Sequence, residues 1–384
     1  MKNHQSRKPY RKGILSYRRT PIEIESPEQY GYEKIEYNLT ESSVTDLKYS
    51  DLKVDLDDFV LSYTDHKGNP SLREKIAQEE VHRNDVLITA GAAAGLFITV
   101  TSLLNSGDHA VILHPNYVTN IETPRALGCS ADYIHLTFEN KFQLDIKTLE
   151  QLIRPDTRLV SITYPHNPTG MTLTESELQK IVSIVESEPE CYLLVDETYR
   201  EMTFHTPPPV AASLSPQVIS VSSLSKSYGL PGIRIGWLIT TDETLMETFL
   251  AAKEQMYICN SVLDEAISSQ FLARKDEFFP EIKKHIQENF EVVKSWMRNN
   301  DYFEWVEPTG GCVCFPRIIS DIPVDIDKFY ATLNETYKTF VGPGHWFEMD
   351  KKYMRIGYGW PNIKELRGGL LNMTRAVEEA INNS

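Results

Sequence analysis

The sequence has 384 residues, which is long enough for two domains that share an interface. Its content of 41% hydrophobic and 24% charged residues is typical of a soluble globular protein. The formal net charge of −15 disfavours nucleic acid and anionic membranes as main partners, and no apolar run approaches the roughly 18–20 residues of a membrane-spanning helix.

Two local features of the sequence bear on the protein's partners and on its cellular location. Residues 1–19 contain seven basic residues and no acidic one, and no apolar signal segment follows them. We interpret them as a solvated arm or one that lies across a partner, with a nucleic-acid or targeting tail as the alternative. The five cysteines lack zinc-ligand spacing, so we predict no metal site and expect free thiols in a reducing cytoplasm.

From about residue 85 the sequence repeats a unit of strand, turn and helix. Helices are predicted at 92–107 and 172–187, and buried strands at 85–91, 109–115, 158–170, 191–200, 217–226 and 234–240. Continuous Val, Ile and Leu runs separated by helices indicate an α/β fold with a mostly parallel sheet covered on both faces. Ligands bind at the carboxyl ends of such strands, so we expect Asn167, Asp196, Tyr199 and Lys226 to meet in one crevice.

The C-terminal third has a different pattern. Residues 276–300 predict a long helix with a potential kink at Pro280, and residues 303–318 predict a hairpin-like strand pair. An amphipathic helix is predicted to begin near Asn362. We therefore predict a large domain at 48–284 and a smaller one formed by 1–47 and 285–384.

The segment "SVSSLSKSYGLPGIRIGW" (220–237) places Lys226 in a loop rich in serine and glycine, directly after a buried strand. A lysine held in a crevice near cationic groups has a lowered pKa and becomes a nucleophile for aldehydes. Pyridoxal phosphate is the aldehyde cofactor that suits such a lysine. It also needs an anion against its pyridine nitrogen, a phosphate cup and an aromatic face.

From about Tyr63 to Arg355 the sequence resembles the class I/II aminotransferases of the aspartate-aminotransferase fold (fold type I). Ser223, Lys226 and Arg234 have the spacing of that family's phosphate serine, Schiff-base lysine and phosphate arginine. The resemblance implies pyridoxal 5′-phosphate as cofactor. It also implies a mostly parallel central sheet in a large domain, with a smaller α+β domain beside it.

The same resemblance implies the other cofactor ligands. Asp196 of "DETY" would pair with the protonated pyridine nitrogen, and Tyr199 would donate to the phenolate oxygen O3′. Asn167 of "YPHNPTG", where the family's Asn–Pro bond is cis, would be the second donor to O3′. The amides of Ala92 and Ala93 would contact the phosphate at a helix start. Taken alone, Asp196 is also compatible with a helix N-cap.

Three more positions follow from the resemblance. Tyr117 of "HPNY" would stack on the cofactor, although a core tyrosine is an equal interpretation of the local pattern. Arg355 of "YMRIGYG" would bind the substrate α-carboxylate with its planar fork, and Asn167 also belongs to the substrate side. Tyr63 of "YTDHKGNPSLREKIA" would reach the phosphate of the neighbouring subunit, which implies a homodimer.

Some positions stay open at this point. His166 and Asn116 occupy variable motif positions and either touch substrate or hydrogen-bond locally. Tyr17, Trp346 and residues 38–44 are candidate pocket walls. No arginine is assignable as a second carboxylate clamp, so a dicarboxylic substrate is not implied.

These features predict an aminotransferase that moves an amino group between an L-amino acid and a 2-oxo acid. Lys226 would bind the cofactor and then move the proton between Cα and C4′. The alternative is a lyase or an eliminating cyclase resembling capreomycidine synthase, which would share these residues. A cofactor-binding transcriptional regulator is a weaker alternative, because the aminotransferase likeness covers nearly the whole chain and leaves only a short basic arm.

Overall fold

The computed structural model describes residues 15–78 and 80–381, so most of the basic arm lies outside the described residues. The strands are β1 Tyr37–Leu39, β2 Val86–Thr89, β3 His109–His114, β4 Ser130–His135, β5 Thr157–Thr163, β6 Tyr192–Asp196, β7 Val218–Ser223, β8 Gly236–Ile239, β9 Phe303–Glu304, β10 Val313–Cys314, β11 Arg317–Ile318, β12 Thr339–Pro343 and β13 Met354–Gly357. The α-helices are α1 Pro21–Glu25, α2 Pro27–Tyr30, α3 Tyr49–Leu52, α4 Pro70–Ala77, α5 Ala92–Leu103, α6 Val118–Leu127, α7 Ile146–Leu152, α8 Glu175–Glu186, α9 Glu243–Met256, α10 Val262–Leu272, α11 Lys275–Arg298, α12 Ile326–Ala331 and α13 Ile363–Ala380.

Within the described residues, the largest sheet has seven strands in the order β2-β8-β7-β6-β5-β3-β4. The strands from β7 to β4 pair in parallel, whereas β8 is antiparallel to both of its neighbours. The mostly parallel α/β fold predicted from the sequence is therefore confirmed. The edge strand β4 was missed, because it buries only Ile134 and lacks a continuous apolar run.

Both faces of this sheet are buried, as the apolar runs predict. Along β3, Val111 and Leu113 belong to one apolar cluster, while Ala110 and Ile112 belong to another on the opposite face. The helix predicted at 172–187 forms α8 and begins with the expected cap. The Thr174 hydroxyl accepts from the backbone amide of residue 177, whose carboxylate accepts from the amide of Thr174.

A second sheet of four strands, in the order β1-β12-β13-β10 within the described part of the chain, packs with α11 and α13. The predicted long helix is the continuous α11, which contains Pro280. The predicted hairpin is only partly correct: β9 pairs with β11, but β10 between them joins β13 of the four-stranded sheet. The domain division at residue 284 stays a prediction, since α11 crosses it.

The parallel pairing of β1 with β12 brings the N-terminal segment onto this second sheet. Residues 37–41 thereby reach the edge of the large sheet, where the cavity described below lies. The five cysteines are free thiols, and Cys191, Cys312 and Cys314 among them are buried. No helix in residues 15–78 and 80–381 is both long and apolar enough to span a membrane.

Candidate active site

A cavity of about 350 Å³ lies at the carboxyl ends of the parallel strands. Thr163, Asp196 and Ser223, the last residues of β5, β6 and β7, all line it. The first turn of α5, the N-terminal segment and Arg355 of β13 complete its walls. Every site residue predicted from the sequence lines this cavity except Tyr63. The volume lies in the range typical of small-molecule sites.

Lys226 follows β7 by three residues, and its backbone carbonyl accepts a hydrogen bond from the Val44 amide at 3.1 Å. Its half-buried side chain lines the cavity, and within the described residues its Nζ makes no hydrogen bond and no ion pair. Burial lowers the pKa of Lys226, Glu41 raises it, and Arg355 lowers it again. A lowered pKa increases the fraction of neutral amine, which is the nucleophilic form.

Asp196 ends β6 with only 4% of its surface exposed. Its Oδ1 accepts hydrogen bonds from the Thr198 amide at 3.1 Å and the Thr198 hydroxyl at 2.6 Å, so it caps a turn and not an α-helix. Burial raises the pKa of Asp196, and no cation pairs with it among the described residues. Burying an unpaired carboxylate is costly, so this site fits a ligand that brings a positive charge, such as a protonated pyridine ring.

The start of α5 forms a cradle suited to an anion. Gly91, with φ of +78°, precedes Ala92, and no side chain caps the first turn of α5. A Cβ on Gly91 would lie 2.7 Å from Arg234 Nη2, and one on Gly236 would lie 2.4 Å from the Gly91 carbonyl carbon. Only glycine at these two positions lets the guanidinium and strand β8 approach the helix start so closely.

The donors of this cradle suit a phosphate. Ser223 and Ser225 line the cavity together with Ala92, Ala93 and Arg234. Arg234 Nη1 donates to the Pro231 carbonyl at 2.9 Å, and among the described residues no carboxylate pairs with this guanidinium. Hydroxyls, free helix amides and an arginine fork are the groups that bind a phosphate dianion. Within the described residues the Arg234 guanidinium forms no ion pair, so its charge is available to an anion.

Arg355 lies at the opposite side of the cavity, on β13, and is 4% exposed. Its Nη1 donates to Asn167 Oδ1 at 3.0 Å, and its Nη2 donates to the Thr40 carbonyl at 2.7 Å. Its buried Nε has no hydrogen-bond partner in the described part of the chain. The guanidinium is thus held by neutral oxygen atoms, and its charge is available for a carboxylate ligand. The Asn167–Pro168 peptide bond is cis, as the resemblance implied.

The cavity also contains Tyr117 and Tyr199. Tyr117 precedes α6 and is half-buried, and burial raises its pKa above the ordinary value. Tyr199 is 4% exposed, and burial raises its pKa as well. Both phenols are therefore neutral hydrogen-bond donors near neutral pH, which suits contacts with a bound aromatic ring or its oxygen.

Two motif residues, His166 and Asn116, hydrogen-bond to nearby residues and do not line the cavity. His166 Nε2 donates to the Pro115 carbonyl at 2.8 Å, its Nδ1 lies 2.7 Å from the Thr169 hydroxyl, and the ring does not line the cavity. Asn116 Oδ1 accepts from the Tyr117 amide at 2.7 Å and from the Thr163 hydroxyl at 2.7 Å, and it also stays outside this cavity. For both residues the local hydrogen-bonding alternative holds.

Some of the remaining predicted residues line the cavity and others do not. Trp346 and part of the 38–44 segment line the cavity as expected. Tyr17 does not; it lines a neighbouring cavity beside α5 and α6. Tyr63 is 80% exposed and does not line this cavity.

The sequence did not indicate several other lining residues, which are Ile22, Glu23, Ser26, Pro27, Glu28, Val118, Thr163, Thr198, Ser225 and Pro231. Ser225 lies between the motif residues Ser223 and Lys226, which is a local signal that could have indicated it. The N-terminal group carries no motif. It packs against a segment about 320 residues away, where Trp346 Nε1 donates to Glu25 Oε2 at 2.7 Å, and no local pattern reveals such a contact.

Comparisons with known proteins agree with this geometry. The sequence model of the family "Aminotransferase class I and II" matches residues 42–366. The chain is 35% identical over 314 residues to an aspartate aminotransferase of Musicola paradisiaca, covering 76% of each chain. It is 26% identical over 286 residues to capreomycidine synthase of Streptomyces vinaceus, covering 74% of this chain and 72% of the relative. A crystal structure of a pyridoxal-phosphate-dependent aminotransferase from Streptococcus suis superposes with a TM-score of 0.86 at 26% identity, covering 94% of this chain and 98% of the other.

Proposed function

The chain belongs to the class I and II aminotransferases and is a pyridoxal-phosphate-dependent enzyme, and we propose that Lys226 is the residue that binds its cofactor. The observation that carries this assignment is the state of the Lys226 amino group. It has no partner among the described residues, and it faces the same cavity as the buried Asp196 and the cradle around Arg234. These features match the amine, the anion and the phosphate site that the cofactor requires.

Each of the other site residues is proposed to contact one particular group of the cofactor. Asp196 is proposed to keep the ring nitrogen protonated, while Tyr199 and Asn167 hydrogen-bond the ring oxygen and Tyr117 contacts the ring face. The first amides of α5, with Ser223 and Arg234, are proposed to hold the phosphate. The role proposed for Asp196 is supported by the burial of its carboxylate without a cationic partner among the described residues. A positively charged ring would offset the cost of that burial.

Catalysis requires that a proton leave the substrate Cα. When bound, the cofactor supplies an electron-accepting ring that stabilises the negative charge left at that carbon. Arg355 is proposed to hold the α-carboxylate in its planar fork and so to fix the orientation of the Cα–H bond. Once the substrate's amino group has taken the place of Lys226 on the cofactor, the freed Nζ would remove the proton as a general base, which its lowered pKa favours.

A single-turnover measurement tests transamination. Purified holoenzyme is mixed with one amino acid and no acceptor, and 2-oxo acid, ammonia and cofactor form are quantified. We expect one 2-oxo acid per active site, an aminated cofactor and no free ammonia. Catalytic release of ammonia or of a side-chain fragment would instead establish the lyase or cyclase alternative, to which the likeness to capreomycidine synthase lends some support.

We further propose that the active unit is a homodimer in which Tyr63 completes the phosphate site of the neighbouring subunit. The exposed run around this residue supports the proposal. Val60 is 73% exposed, Leu61 71% and Tyr63 80%, so the protomer presents three large apolar side chains to solvent within four residues. Such a patch is typical of a surface that another chain covers.

Mixing two impaired variants tests the shared site. A heterodimer of Lys226→Ala and Tyr63→Phe subunits contains one site with both native residues, provided that each variant alone is impaired. We expect activity to return after subunit exchange. A fully active monomer in sedimentation would contradict the proposal.

We also propose a reducing, cytoplasmic location. The support is that all five cysteines are free thiols, which persist in reducing compartments. Fractionation of the source cells with an antibody against the protein would test this.

A further inference from the structure

Three carboxylates line the cavity at its N-terminal wall: Glu23, Glu28 and Glu41. None of them forms an ion pair with a cationic side chain among residues 15–78 and 80–381. Glu41 accepts a hydrogen bond from the neutral Tyr32 hydroxyl at 3.1 Å, and Glu23 accepts one from the backbone amide of Thr20 at 2.9 Å. Glu23 and Glu28 are exposed and Glu41 is half-buried, so the cavity wall carries negative charge that no ion pair among the described residues offsets.

Glu28 and Glu41 lie near the residues that handle substrate, whereas Glu23 lies next to Ala93 at the start of α5. Glu41 directly follows Thr40, whose carbonyl holds Arg355 Nη2 at 2.7 Å. Burial lowers the pKa values of Lys226 and Arg355, and the charges of Glu41 and Glu28 raise both. Glu28 and Glu41 thus act on Lys226 and Arg355, the two residues that are proposed to handle substrate.

A second observation indicates what kind of ligand spans this space. Arg355 is 4% exposed, lines the same cavity and keeps a buried Nε without a partner among the described residues. The cavity therefore offers a cation for one end of a ligand and carboxylates for another. Ile22, Val118 and Trp346 line the same cavity and supply apolar surface that suits an aliphatic stem.

We propose that the amino-acid substrate carries a cationic side chain, an ammonium or a guanidinium, which Glu28 and Glu41 recognise while Arg355 holds its α-carboxylate. This inference rests on the proposed function of the same site. A side-chain carboxylate would meet these acidic groups without a second arginine to compensate, so dicarboxylic amino acids are disfavoured. A neutral side chain would leave the wall charges unpaired.

Matched pairs of amino acids test the charge directly. Arginine and citrulline have nearly the same shape, as do lysine and norleucine up to the terminal group, and in each pair only the first is cationic. We expect holoenzyme to use the cationic member of at least one pair more efficiently in kcat/KM and to use aspartate and glutamate least. Comparing the two pairs tells whether guanidinium or ammonium is preferred.

Substitutions identify the residues responsible. Glu28→Gln and Glu41→Gln are each expected to reduce the cationic-over-neutral ratio roughly threefold to fivefold, the effect of one partly screened ion pair. Glu33→Gln, an exposed acidic residue of the same segment that does not line the cavity, is the matched control and should leave the ratio unchanged. Raised salt should reduce the ratio in the native protein as well.

Calorimetry supplies a readout that does not need turnover. Arginine and citrulline, or lysine and norleucine, are titrated into cofactor-loaded Lys226→Ala protein, and their dissociation constants should differ in the same direction as kcat/KM. Equal affinities, or ratios that Glu28→Gln and Glu41→Gln leave unchanged, would overturn the inference while transamination stands. Ammonia release in the single-turnover measurement would overturn the proposed function instead, and the calorimetric preference would still decide the side-chain question.

Discussion

The two sides of the active-site cavity are built in different ways. The cofactor side lies on the carboxyl edge of the large sheet, where Asp196, Ser223 and Lys226 follow neighbouring parallel strands within 31 residues of sequence. The substrate side is assembled from distant segments, since the pairing of β1 with β12 and of β12 with β13 brings the Thr40 carbonyl to 2.7 Å from Arg355. Asp196 and Ser223 on the first side are buried, whereas Glu28 on the second is exposed.

This difference explains what each side is suited to do. A phosphate and a ring need donors fixed by the backbone, which strand ends and a helix start provide with little freedom. A substrate side chain needs only a wall of suitable shape and charge, and a surface segment can change these without disturbing the sheet. The following predictions measure how independent the two sides are, beginning with the largest effect.

Replacing Lys226 with alanine should cause the largest loss. Removing the general base alone costs roughly 10²–10⁴-fold in rate, and the loss of covalent attachment adds to it. Turnover and a borohydride-trapped adduct on the tryptic peptide that contains residue 226 are the measurements. An adduct that persists on a different lysine would show that the cofactor side has been assigned wrongly.

Replacing Asp196 with alanine should weaken cofactor binding by about 3–5 kcal/mol, the usual cost of removing one partner of a buried ion pair. Cofactor affinity is measured by fluorescence titration and compared with turnover. Asp196→Asn is the matched control for shape, because its amide oxygen can still accept from Thr198 while it carries no charge. If Asn restores affinity fully, the charge of Asp196 is not what binds the ring.

The contrast between the cofactor side and the substrate side also explains which parts of the structure could be predicted from the sequence. The strands of the large sheet and the cofactor motifs were recognised because continuous apolar runs and fixed spacings are local properties. The edge strand β4 was missed since its side chains are mostly half-exposed, and β10 was assigned to the wrong partner because pairing between distant strands has no local signature. Glu23 and Glu28 were missed for the same reason.

A third prediction concerns the ion pairs that hold the N-terminal segment of the substrate side in place. Arg18 pairs with Glu122 at 2.9 Å, and Arg125 bridges Glu122 and Glu348, which links the N-terminal segment to α6 and to the turn after β12. The bond from Arg125, followed by that from His114, lowers the pKa of Glu348 below its ordinary value. A carboxylate with a depressed folded-state pKa stabilises the fold above its unfolded pKa, and this stability is lost as the pH falls.

Glu348→Gln should therefore lower the free energy of unfolding by about 0.2–1 kcal/mol at pH 7, a small value because the pair is partly exposed to solvent. The difference from the native protein should shrink as the pH falls below about 4.3, the ordinary pKa of glutamate, and through the lower pKa in the folded protein. Unfolding measured by calorimetry along a pH series, with Glu33→Gln as control, checks both points. A difference that is the same in acid as at pH 7 would contradict the role of charge.

The smallest expected effect tests whether the two sides communicate. Burial lowers the pKa of Lys226, while Glu41 raises it by stabilising the protonated amine. Glu41→Gln removes that charge, so the pKa of Lys226 should fall and the neutral amine should become available at lower pH. The rate of covalent cofactor binding to apoprotein, followed by absorbance, should then reach its midpoint at a lower pH than in the native protein. Arg355 lowers the pKa of Lys226, so Arg355→Met should move the midpoint in the opposite direction, and Glu33→Gln should leave it in place. An upward shift in Glu41→Gln would reverse the sign of this coupling, and no shift would mean that the substrate side sets specificity without adjusting the chemistry of the lysine.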